Sequence, residues 1–121
     1  MMRWMHGLLL VALAAGLAPD ARAHAQLEQA TPAAGSRLRE SPAQLTLQFS
    51  QRFEPAFSRI RVLDSKGNQV DHGNAQVGGS GARLLQVSLP RLEPGSYQVE
   101  WRVLSVDTHV SEGRFTFDVR P

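Results

Sequence analysis

An aspartate and a histidine two positions apart could hold a metal ion between them. Such a pair lies near the C-terminus, in Ser105-Val106-Asp107-Thr108-His109. It follows the most strand-like run of the chain, Tyr97-Gln98-Val99-Glu100-Trp101-Arg102-Val103-Leu104. In extended backbone, residues two apart point to the same side. The sequence therefore predicts that Asp107 and His109 offer a carboxylate and an imidazole to one point. Two ligands make half a site.

The other half comes from the opposite end of the chain. Met1 to His6 carries one cation, Arg3, and is followed by the apolar block Gly7-Leu-Leu-Leu-Val-Ala-Leu-Ala-Ala-Gly-Leu-Ala18. That block is too short to span a bilayer comfortably. Pro19-Asp20 breaks it, and Ala21-Arg22-Ala23 has the small-x-small form of a secretory cleavage site. Residues 1–23 thus read as a cleaved signal peptide, leaving one exported, soluble domain over residues 24–121. Cleavage makes His24 the first residue, with an imidazole and a free α-amino group. The amine has a reference pKa of about 8 and is far easier to deprotonate than a lysine. Ala23-His24-Ala25 also fits small-x-small, and cleavage after Ala25 would discard His24.

The chain has no cysteine, and its three methionines, Met1, Met2 and Met5, all precede residue 24. Thiolate catalysis, zinc–thiolate sites and iron–sulfur clusters are excluded. Any metal site in the mature domain must use nitrogen and oxygen. His24 amine, His24 imidazole, His109 imidazole and Asp107 carboxylate make three nitrogens and one oxygen. T-shaped N,N chelation with a carboxylate suits the tetragonal preference of Cu(II), which also heads the divalent affinity order, whereas Cu(I) prefers sulfur. The formal charge of the whole chain is only +2, too small for a nucleic-acid surface.

The elements that must position these residues are short strands. Leu45, Leu47 and Phe49 alternate with polar residues, as do Ile60 and Val62, Leu85 and Val87, and Phe115, Phe117 and Val119. Tyr97, Val99, Trp101 and Val103 share one face, with Trp101 as core packing. Residues 24–30 make a plausible first strand. Residues 71–82, rich in Gly and polar residues, read as a flexible connection or weak hairpin. About seven strands separated by turn signals, without a helical period, predict an all-β sandwich or barrel.

These residues resemble the CopC family of periplasmic copper-binding proteins. The N-terminal signature is seen in His24 followed by Ala30-Thr31-Pro32-Ala33-Ala34-Gly35-Ser36 and Leu45-Thr46-Leu47-Gln48-Phe49-Ser50. The C-terminal one runs from Leu92-Glu93-Pro94-Gly95 through Asp107-Thr108-His109. The resemblance implies a seven-stranded immunoglobulin-like Greek-key β-sandwich or barrel. It also implies a Cu(II) site from His24 (amine and ring), Asp107 and His109. A role in copper resistance or supply is implied too, beside a CopD-like inner-membrane copper transporter, with the protein a periplasmic monomer.

Three positions depart from the family pattern. Gln51 stands where many members have Glu, and Val110 where many have Pro. Residues 71–82 hold no Met where some members have a Met-rich Cu(I) loop, which predicts a Cu(II)-only protein. His72, in a polar turn, reads as a surface residue or a weak accessory contact. Two other functions compete with a copper carrier. An N-terminal histidine brace is also the arrangement of oxidative copper enzymes. A plain adhesion or assembly sandwich would bind no copper at all.

Overall fold

Alternation on the third strand sets the pattern for the whole molecule. In β3 (Gln44–Phe49), Leu45, Leu47 and Phe49 are buried, while Gln44 and Gln48 on the other face are exposed and Thr46 is half-buried. Each such side chain removed from water stabilises the fold by about 1.5–3 kcal/mol. The computed structural model describes residues 25–121. It contains β1 (Leu27–Thr31), β2 (Arg37–Leu38), β3, a single 3-10 turn (Pro55–Phe57), β4 (Arg59–Leu63), β5 (Gln76–Gly78), β6 (Leu84–Ser88), β7 (Gly95–Leu104) and β8 (Val110–Val119).

Two four-stranded sheets form, in the orders β1-β3-β6-β5 and β2-β8-β7-β4. The core between them comprises Leu45, Leu47 and Phe49 from β3, Ile60 and Val62 from β4, Leu85 and Val87 from β6, Val99 and Val103 from β7, and Phe117 from β8, with neighbours. This is the expected all-β sandwich. It is held by core packing and strand pairing, since no disulfide is available. Tyr97 stacks on Phe117, with centroids 5.6 Å apart. Phe49 meets both Phe53 and Trp101 edge-on, at 5.7 Å and 5.2 Å. Trp101 is half-buried against the core, as expected.

The strands differ from the sequence reading in three details. Eight are present among the described residues, the additional one being the two-residue β2, which pairs in parallel with β8 at Arg37↔Asp118 and Leu38↔Val119. The weak hairpin of residues 71–82 contributes β5. β8 starts at Val110 and not Arg114, because it pairs with β7 along its full length, from Leu104↔Val110 to Gly95↔Val119. The proposed signal peptide and His24 lie outside the described residues. No helix among the described residues is long and apolar enough to cross a membrane.

One end of the sandwich gathers four chain segments. Ser50 N–H donates to Gln26 O at 2.8 Å, and Gln26 N–H donates to Ser50 Oγ at 2.9 Å. The chain then crosses from the first sheet to the second. Phe53 N–H reaches Ala82 O at 2.9 Å, Glu54 N–H reaches Leu104 O at 2.7 Å, and Val106 N–H reaches Arg52 O at 3.2 Å. Residues 50–54 therefore tie the start of the described chain to the loop that joins β7 to β8.

Candidate metal centre

The β7–β8 hairpin is closed by residues 105–109. Ser105 continues the inward parity of Tyr97, Val99, Trp101 and Val103, and it is fully buried. Its N–H donates to His109 O at 2.9 Å, and Thr108 N–H donates to Ser105 O at 2.9 Å. Between them Thr108 takes φ 71, a left-handed conformation uncommon for a β-branched residue. Strained turns of this sort concentrate at functional sites.

The expectation that Asp107 and His109 meet by strand alternation needs a correction in its reason. Residues 106–108 are turn and bend, not extended. The two side chains nevertheless converge, with His109 Nδ1 3.4 Å from Asp107 Oδ1. They are brought together by the tight loop that Ser105 and His109 close, with the left-handed Thr108 reversing the chain between them. Both remain about half exposed, at 41% for the Asp107 side chain and 47% for His109.

The hydroxyl of Ser105 lies beneath this pair. It donates to Asp107 Oδ1, and His109 N–H donates to it at 3.3 Å. His109 O lies 3.1 Å from the same oxygen, but a hydroxyl has one proton to give, and the carboxylate is the stronger acceptor. The Ser105 hydroxyl is the main cause that holds the Asp107 carboxyl below its ordinary value. Partial desolvation opposes the shift, and His109 adds to it. The carboxylate is thus anionic and ready to ligate over the neutral range.

Among the described residues no group of three His, Cys, Asp or Glu side chains is placed to hold a metal. Of the expected trio, the structure brings together Asp107 and His109, while His24 falls outside the described residues. Its neighbour Ala25 is buried, and Gln26 is fixed to Ser50 by the two bonds given above. Gln51 is half-buried where the chain begins its crossing.

His72 lies at the other end of the sandwich. Its N–H donates to Ser88 O at 3.0 Å, and Ser88 pairs with Gln44 at the start of β3. Along β6, four residues separate that point from Leu84 beside the crossing segment, roughly 13 Å at the strand rise. An accessory role for His72 at this centre is therefore overturned. Ser105 was missed by the search for ligand types. Its signal was a polar residue at an inward position, which must find a buried partner.

The chain resembles known proteins in both sequence and fold. Residues 27–120 match the CopC domain. Copper resistance protein C of Pseudomonas syringae pv. tomato is 35% identical over 106 residues, covering 83% of each chain. The crystal structure of CopC from Methylosinus trichosporium OB3b superposes with a TM-score of 0.76 at 41% identity, over 81% of this chain and 95% of that one. PcoC, a methionine-rich copper resistance protein from Escherichia coli, superposes with a TM-score of 0.68 at 28% identity, over 80% and 99%. On sequence and on fold alike, the chain belongs to the CopC family.

Proposed function

We propose that the chain is a copper-handling resistance protein that carries or buffers Cu(II) in the periplasm. Export processing after Ala23 makes His24 a chelate of amine and imidazole, and Asp107 and His109 complete a ligand set of three nitrogens and one oxygen. The observation that carries this reading is the convergence of Asp107 and His109, 3.4 Å apart, on a half-exposed loop. That loop is bonded through Arg52 to the segment that also fixes Gln26, two residues after His24. Copper is the cargo here, and the half-exposed ligands suit its loading and release.

The oxidation state follows from the donors. Residues 24–121 contain neither Cys nor Met, whereas PcoC is described as methionine rich. A sulfur-free set favours Cu(II) over Cu(I). The role is that of a carrier and not of a catalyst, because an Asp107 carboxylate bound to copper would fill a position that oxygen activation needs open. The natural exchange partner is a CopD-like inner-membrane transporter. Phe57, Val106 and Val110, the large hydrophobics exposed among the described residues, give a protein partner an apolar rim beside the loop. Phe57 and Val110 line one groove of about 370 Å³ with Leu104, and exposed apolar patches of this kind commonly mark interaction sites.

Copper titration of the exported protein, with mass spectrometry of its first residue, tests the proposal. One Cu(II) per chain is expected on a chain beginning at His24, with His109→Ala weakening binding by at least 100-fold. Stoichiometric tight binding that survives His109→Ala would overturn it.

A further inference from the structure

We infer that Ser105 is a positioning residue for copper, holding the Asp107 carboxylate in one orientation toward the metal. The inference rests on the ligand set proposed above and adds to it a residue that never touches the ion. Ser105 is the one buried polar or charged residue among those described. Its place at the end of the inward face of β7 would be filled at less cost by a valine or alanine, since a buried hydroxyl needs partners. The hydroxyl finds them in the loop itself. It donates to Asp107 Oδ1 and accepts the His109 N–H at 3.3 Å. One oxygen atom thus orients the side chain of one ligand and the backbone of the other.

A consequence for coordination follows from which lone pairs are taken. Asp107 Oδ1 receives the Ser105 hydroxyl and faces His109 Nδ1 at 3.4 Å. Asp107 Oδ1 is thus anchored to a buried hydroxyl, which fixes the orientation in which the carboxylate is offered to copper. Carboxylates held in this way keep a single orientation, and removing such an outer partner typically weakens metal binding by about 10–100-fold. Without the hydroxyl the side chain, nearly half exposed, is free to rotate or to offer both oxygens.

A double-mutant cycle on the His24-terminated protein tests this, with Cu(II) affinity by competition and the EPR spectrum as readouts. Ser105→Ala removes one atom. It leaves in place the backbone bonds from Ser105 N to His109 O and from Thr108 N to Ser105 O, both 2.9 Å, so the loop still closes. The expected result is a loss of about 10-fold or more with a changed copper hyperfine splitting. In an Asp107→Ala background the same change should cost less than about 2-fold, since a residue that acts through another is coupled to it. An equal loss in both backgrounds, or no loss with Asp107 intact, overturns the role of Ser105 while leaving the copper site standing. Full affinity in Asp107→Ala alone overturns the ligand assignment, and the positioning role with it.

Discussion

At the scale of single residues, the charge state of Asp107 is set by what lies under it. The Ser105 hydroxyl hydrogen-bonds to the ionised carboxylate and depresses its pKa, with partial desolvation working against it. A carboxyl whose folded pKa is depressed contributes stability that is present above its unfolded value of about 3.9. That contribution is lost as the pH falls through the folded value. In metal-free protein, the carboxyl carbon of Asp107 should therefore titrate by NMR with a midpoint below about 3.9, and Ser105→Ala should raise it. An unmoved midpoint in that variant would assign the shift to His109. The pairing of Asp107 with His109 was legible from residue type and spacing, whereas the geometry that joins them was not. Alternation suggested a strand end, but the left-handed turn at Thr108 depends on the closure of the whole hairpin.

At the scale of elements, the β7–β8 hairpin carries the loop, and Gly113 is where it packs most tightly on Trp101. That residue lies opposite Trp101 in the register. A Cβ there would come within 2.7 Å of the ring at Cζ2. Gly113→Ala must therefore displace the indole from its edge-on contact with Phe49, 5.2 Å away. Overpacking of this kind costs about 1–3 kcal/mol, so the urea midpoint should fall with the slope unchanged. A midpoint equal to that of the parent would mean that the ring has room to move. The same residue explains why the first half of β8 was hard to read. Val110-Ser111-Glu112-Gly113 holds a glycine and an exposed charge, and it becomes a strand by pairing with β7, where Gly113 leaves room for the Trp101 ring. β3 needed no such help, since Leu45, Leu47 and Phe49 declare their face by themselves. The two residues of β2 have no local signal, being fixed by the edge of β8 that they join.

At the scale of the whole molecule, the sandwich brings the start of the described chain and the β7–β8 loop to one pole. Residues 50–54 bond to Gln26 on one side and to Leu104 and Val106 on the other, so a chain crossing does work that a disulfide does in many small domains. The fold class was legible in the sequence because binary patterning is local, while the pole at which the segments meet depends on long-range pairing. His72 shows the difference: its residue type suited a metal, but β6 carries its loop to the far end. On the proposed function, processing makes His24 a two-nitrogen ligand that joins Asp107 and His109. Cu(II) titration of protein beginning at His24, beside protein that keeps one extra residue before it, tests this most directly. The account predicts that the extended form binds far more weakly and with an altered EPR spectrum, because its amine is no longer on His24. Equal affinity and an identical spectrum in the two forms would contradict it.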